Sequence, residues 1–207
     1  MVPEAPVTGR VVRKLNGFLT GKLKEKISIG IIGTGSGCGT THLAIALANY
    51  LQSGLGKQTA VIEMPGQHDL EHMIRDECRG KQELFHVQYF TGIGVGKIPE
   101  ILNSGYEAFV LDCGGDYQAA REEFLRCDRK LVMGSISPWK VSAFEHFMRN
   151  IIAIENYQQW EFLVLFADRT DRKRIQKRYK MHLTSVPWIE NPFYLKKEDL
   201  IFLQKLL

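Results

Sequence analysis

Gly35, Gly37 and Gly39, followed at once by Thr40, Thr41 and His42, put flexible backbone amides and two hydroxyls into one short stretch of chain. They come after the apolar run Ile27-Ser28-Ile29-Gly30-Ile31-Ile32, so the expected local structure is a buried strand, a glycine-rich turn and a helix start. That is the layout of a phosphate-binding loop, G-x-x-x-x-G-K-[ST]. In it, glycines let N–H groups converge on phosphate oxygens, the helix start adds positive potential, lysine reaches the terminal phosphates and Ser or Thr holds Mg2+. Placing Thr41 at the metal position puts Gly39 on the second glycine, Thr34 on the first and Thr40 on the lysine. The backbone cradle is kept in Gly35, Gly37 and Gly39, and the fixed cation is missing. Preorganised positive charge is a main source of rate in phosphoryl transfer. The loop is therefore written to hold a nucleotide and poorly equipped to hydrolyse one. A turn rich in glycine for close packing alone is the competing reading.

Two further segments bear on that choice. Residues 106–112 form an apolar strand that ends on Asp112 and continues into Cys113-Gly114-Gly115. An aspartate at the carboxyl end of a buried parallel strand can bind Mg2+ through water, and the D-x-x-G spacing to Gly115 lets a backbone N–H approach a terminal phosphate. The alternative for Asp112 is a turn or helix cap. Thr59-Ala60-Val61-Ile62 ends in the same way on Glu63 and breaks into Pro65-Gly66-Gln67-His68-Asp69. Three apolar strands thus end in polar groups that could share one site.

The order of loop strand, helix, acid-ended strand and later Walker B-like strand resembles the ParA/MinD family of P-loop proteins, within the SIMIBI class. That family's loop is K-G-G-x-G-K-T-T. Here Gly35 replaces its first, signature lysine, Ser36 the next glycine and Thr40 the second lysine, whereas Gly37, Gly39 and Thr41 match. Ser36-Gly37-Cys38-Gly39-Thr40-Thr41-His42 is more similar to the lysine-less TadZ/CpaE-like branch, which serves assembly of the tight-adherence (Flp) pilus. The resemblance implies ATP or ADP with Mg2+ as cofactors and Thr41 and Asp112 as metal ligands. The nucleotide set it implies is Gly35, Ser36, Gly37, Cys38, Gly39, Thr40, Thr41, His42, Glu63, Asp112 and Gly115, with Asp168 at the turn that contacts the base in relatives. It implies a homodimer facing itself across nucleotide, and protein partners in a pilus or positioning machine.

These residues have to be positioned by alternating strands and helices. Leu43, Ala44, Leu47, Ala48 and Leu51 mark one face of a helix that Gly54 and Gly56 end. Strand-like segments follow at residues 59–63, 84–90, 109–112, 130–134, 162–166 and 184–189. Repeated βα alternation predicts an α/β fold, a three-layer P-loop NTPase-like domain whose mainly parallel sheet is flanked by helices, with ligands at the carboxyl strand ends. Trp139, in Ser135-Ile136-Ser137-Pro138-Trp139, is expected to pack. The amphipathic last stretch, residues 196–207, is expected to pack on the core, because a membrane-surface helix carries a more basic polar face.

The 207 residues suit one domain, read as a basic N-terminal segment, 1–26, and a P-loop domain, 27–207. No signal-peptide pattern and no run of ~18 apolar residues is present, and the four cysteines have neither metal spacing nor disulfide density. Together these predict a cytoplasmic protein, associated with membranes only through partners. The net charge of +4 is concentrated in Arg10, Arg13, Lys14, Lys22, Lys24 and Lys26 and in residues 171–180. DNA contact through these runs is an alternative, but a solvated helix face is the simpler reading.

Three functions remain open. The first is a nucleotide-gated regulatory or localisation protein with a degenerate loop and weak or absent hydrolysis. The second is an active partitioning or positioning ATPase in which His42, Lys97 or a partner's arginine replaces the missing cation. The third is a scaffold that has lost nucleotide.

Overall fold

The computed structural model describes residues 24–76 and 81–207. Arg10, Arg13, Lys14 and Lys22, named above, and Cys78, one of the four cysteines, lie outside the described residues. Strand β1 (Ile27–Gly33) runs through the middle of an eight-stranded sheet. It leads into α1 (Thr40–Asn49), which continues through a π-helical turn at Tyr50–Gly54. Then come β2 (Thr59–Glu63), α2 (Asp69–Asp76), β3 (Glu83–Leu84), β4 (Val87–Phe90), α3 (Ile98–Leu102) and β5 (Ala108–Asp112). The second half adds α4 (Tyr117–Arg126), β6 (Arg129–Ser135), α5 (Val141–Ile151), β7 (Glu161–Leu165), α6 (Arg169–Tyr179), β8 (Leu183–Ser185) and α7 (Lys197–Gln204).

The strand order is β3-β4-β2-β5-β1-β6-β7-β8, and every neighbouring pair is parallel except the β3/β4 hairpin. Strand β1 pairs with β5 on one edge and β6 on the other, so the chain switches sides of the sheet across it. In doubly wound sheets such a switch opens a crevice at the carboxyl ends of the strands. The registers bring the ends of three strands level there: Ile31 faces Asp112, Glu63 faces Asp112 and Gly33 faces Met133.

Each face of the sheet is covered by its own apolar layer. Ile29 and Ile31 point to the side of α1, where Leu43, Leu47, Leu51, Leu70, Leu200 and Leu203 are buried together. Ile32 points to the other, against Phe109, Phe124, Phe144, Phe147 and Phe162. This alternation along one strand is the period of two that a sheet covered on both faces requires. Helix α1 is buried all round except at Thr41 and His42. Leu200, Leu203 and Leu206 of the last stretch pack into the same layer, as the sequence led one to expect. Among the described residues no helix is long and apolar enough to cross a membrane.

Three expectations are corrected. Residues 84–90 are a tight hairpin rather than one strand. Phe85 and His86 both have left-handed backbones (φ 52° and 65°) and make the two-residue turn, a role usually signalled by Asn-Gly. The last strand stops at Ser185, short of residue 189 and ahead of Pro187, which has no amide to give a ladder. Trp139, expected to pack, is 80% exposed. The basic run falls on α6, of which Ile175 is the buried residue, and pairs in part with acids: Arg174 with Asp171 at 2.7 Å and Arg178 with Glu145.

The aromatic layer has a checkable keystone. Phe124 is fully buried, 5.3 Å between ring centroids from Trp160, and a Cβ at Gly30 would lie 2.8 Å from its ring. Phe124→Ala would leave a cavity beneath β1 and should lower unfolding stability by about 3–5 kcal/mol, read by urea denaturation. A loss under about 1 kcal/mol would show that this layer does not hold the central strand.

Candidate functional site

The loop leaves β1 pinned on both sides. The Gly33 N–H donates to the Gly114 carbonyl at 2.7 Å and the Thr34 N–H to the Met133 carbonyl at 2.8 Å, so the ends of β5 and β6 hold its first turn. Gly37 and Gly39 then take left-handed conformations, φ 69° and 79°, that a side chain would strain. Gly39 is also the residue before α1 and offers no side chain to cap it. The free N–H groups at the start of α1 are therefore left for a ligand, which is the elementary form of an anion site.

A second turn closes on the first. Gly114 and Gly115 follow β5, and a Cβ on Gly115 would fall 2.6 Å from the Gly35 carbonyl carbon and 2.8 Å from the Ser36 nitrogen. Only glycine lets these two backbones approach so closely. Between the turns opens a cavity of about 800 Å³ lined by the loop, the start of α1, Gln67, Asp69, Gly114, Gly115 and Asp116, within the usual range for small-molecule sites.

At its inner end the Thr41 hydroxyl donates to Asp112 Oδ2 at 2.5 Å and lies 3.5 Å from Asp69 Oδ2. The other Asp112 oxygen accepts the Gly114 N–H at 3.2 Å. Burial pushes the Asp112 carboxyl above its ordinary range, and the Thr41 hydroxyl and Gly114 amide offset only part of that. Both Glu63 oxygens accept backbone amides at the start of α2, Leu70 N at 2.7 Å and Glu71 N at 3.1 Å. Burial raises the Glu63 pKa as well, against those two bonds.

Of the residues expected at the site, Gly35, Ser36, Gly37, Gly39, Thr40, Thr41, His42 and Gly115 line the cavity, and Asp112 stands behind Thr41. Cys38 is buried, its sulfur 3.8 Å from the Thr34 hydroxyl. Glu63 acts through α2, whose first residue is Asp69, and so positions the rim rather than lining it. Asp168 caps α6, accepting Thr170 N at 2.6 Å and Asp171 N at 2.8 Å. The Asp171 amide and its neighbours hold that carboxyl below the usual range. His42 Nε2 lies 2.9 Å from the Ile189 carbonyl, and Lys97 does not line the cavity.

Asp69, Gln67 and Asp116 are lining residues that sequence reasoning did not select. Asp69 carried a signal, an acid opening a helix just after an acid-ended strand. Among the described lining residues there is no lysine or arginine, and Asp69 and Asp116 add negative charge. A polyphosphate entering this cavity would need a cation with it.

No protein-family model matches the sequence, and a comparison with curated proteins gives no match. Solved structures do share its fold. A ParA family ATPase from Chlorobium tepidum TLS aligns over 87% of this chain and 90% of its own, with TM-score 0.58 and 13% identity. A plasmid partition protein from Borrelia burgdorferi B31 bound to AMPPNP aligns over 88% and 99%, with TM-score 0.56 and 13% identity. The MinD cell division protein of Aquifex aeolicus aligns over 77% and 81%, with TM-score 0.54 and 16% identity. At these identities the likeness is one of fold: the chain has the ParA/MinD P-loop architecture.

Asp112 offers a test of the electrostatics. With its pKa raised on folding, ionisation costs stability: the contribution is fully present below the ordinary value of 3.8 and is lost as pH rises through the raised one. Asp112→Asn, which stays neutral, should therefore melt higher than the parent at pH 7 without nucleotide, and the gain should vanish on acidification below about pH 4. A variant less stable than the parent at neutral pH would mean that Asp112 is well satisfied as an anion.

Proposed function

We propose that this chain binds ATP or ADP with Mg2+ in the cavity between the two turns, hydrolyses slowly or not at all, and uses occupancy to set its dimer or partner state. The observation that carries the reading is the bonded pair of Thr41 and Asp112 at the head of an uncapped helix, behind a loop with left-handed Gly37 and Gly39. Backbone amides from Gly35 to Thr41 would take phosphate oxygens. Thr41 Oγ1 and Asp112, directly or through water, would hold Mg2+, which asks for only one or two protein carboxylates when phosphates complete its shell. The metal supplies charge neutralisation between nucleotide and the Asp69, Asp112 and Asp116 carboxylates.

Slow hydrolysis follows from Thr40. It is buried, and it stands where a catalytic lysine would meet the terminal phosphate. Loss of such a preorganised cation costs orders of magnitude in rate. The lysine-less Ser36-Gly37-Cys38-Gly39-Thr40-Thr41 loop, similar to the TadZ/CpaE-like one, supports a localisation role in pilus assembly. The fold it shares with ParA and MinD proteins supports a role in positioning cargo or partners, with a second copy as the first such partner.

Calorimetric titration of ATP and ADP, with and without Mg2+, tests this when product formation is followed in the same samples. The expected result is a dissociation constant near 1 µM, about −8 kcal/mol, with Mg2+. Without the metal, binding should weaken by tenfold or more, about 1.4 kcal/mol, and turnover should be negligible. Thr41→Ala should reproduce the metal-free affinity. Turnover abolished by Asp112→Asn would instead identify an active ATPase, and no binding under any condition would leave a scaffold.

A further inference from the structure

We propose that Lys140, on the turn between β6 and α5, supplies the positive charge for bound phosphate that the loop itself lost at Thr40. This rests on the nucleotide-binding reading above and assigns that site its missing cation.

The turn is built to deliver this lysine. The Ser137 carbonyl accepts both Lys140 N–H and Val141 N–H at 2.9 Å, with Pro138 at the second position, where its fixed φ suits a tight turn. The Ser135 and Ser137 hydroxyls, 2.9 Å apart, tie the base of the turn to the end of β6. Lys140 thus becomes the residue immediately before α5, half-buried, and its ammonium donates to the Ser36 carbonyl at 3.3 Å. The first turn of α5 closes on the same place: a Cβ on Gly35 would lie 3.7 Å from that of Ala143. Among the described residues, Lys140 is the one lysine or arginine hydrogen-bonded to residues 34–39.

The chemistry suits the role. A lysine ammonium is a compact charge on a flexible stem with three donors, and Ser36 takes one of them. A neutral carbonyl is a weaker acceptor than an anionic phosphate oxygen. The bond to Ser36 keeps the ammonium against the loop until an anion arrives to share or replace that acceptor. Charge that loops of this type carry on the strand-to-helix segment itself is here brought in from the turn after β6, 104 residues from Ser36 in sequence, on a strand adjacent to β1 in the sheet. The other cations considered from sequence do not compete: His42 is engaged with the Ile189 carbonyl, and Lys97, which like Lys140 is not a lining residue, makes no hydrogen bond to residues 34–39.

The test is calorimetric titration of Mg-ATP into the full chain and into Lys140→Ala, Lys140→Gln, Lys140→Arg and the double variant Lys140→Ala/Thr40→Lys. Each variant is checked first by thermal melt. The parent should bind, and Lys140→Ala and Lys140→Gln should weaken binding by about tenfold or more, as expected for a lost bond to a charged group. Lys140→Arg should stay within about threefold. Thr40→Lys in the alanine background should restore affinity, because it returns the cation to the loop.

Lys140→Gln keeps an N–H donor for the Ser36 carbonyl and removes the charge. If it binds as well as the parent, Lys140 only shapes the loop and the inference is overturned while the nucleotide site stands. Equal affinity of parent and Lys140→Ala overturns it in the same way. A parent that binds no nucleotide overturns both this inference and the reading beneath it.

Discussion

Strand β1 has no free edge and no free face, and the rest of the molecule is arranged by that fact. Its backbone is paired to β5 and β6 along its length and both faces are covered by separate apolar layers. A chain leaving such a strand can go only upward between its neighbours. The bonds from Gly33 to Gly114 and from Thr34 to Met133 are the last rungs of that pairing, and they fix the starting point of the glycine loop. The start of α1 hangs from β1 itself, the Gly114–Gly115 turn and Lys140 follow strands that pair directly with it, and Gln67 and Asp69 follow β2, one strand further out.

The site is built with an electrostatic deficit. Asp112 is buried, Asp69 and Asp116 stand at the rim, and no lysine or arginine is among the described lining residues. A carboxylate held in a poorly solvated place without a counter-charge is costly. The raised proton affinity of Asp112 is the sign of that cost. Under the proposed function, a divalent cation with a polyphosphate would supply the charge the protein withholds, and binding would then stabilise the surroundings of Asp112.

Similarity of fold to ParA and MinD proteins at 13–16% identity reflects the same division of labour. The sheet registers and two apolar layers define the architecture, and many side chains satisfy them. The groups that decide chemistry are few and sit at strand ends, so they can change without disturbing the scaffold.

By itself the sequence determined the elements whose signals are local. The apolar runs of β1, β2 and β5, the glycine loop, the helix face of Leu43 and Leu47, and the acids ending two strands were all legible, because side-chain periodicity and backbone freedom act over a few residues. It did not reveal the β3/β4 turn, where Phe85 and His86 adopt left-handed backbones without Gly or Asn. It also did not reveal that Glu63 and Asp168 spend their oxygens on helix amides. Only the tertiary structure decided what crosses the cavity. Asp69 reaches Thr41, Gly115 presses on Gly35, and Lys140 meets Ser36. Those pairs are far apart in the chain and are brought together by strand order, which no local pattern encodes.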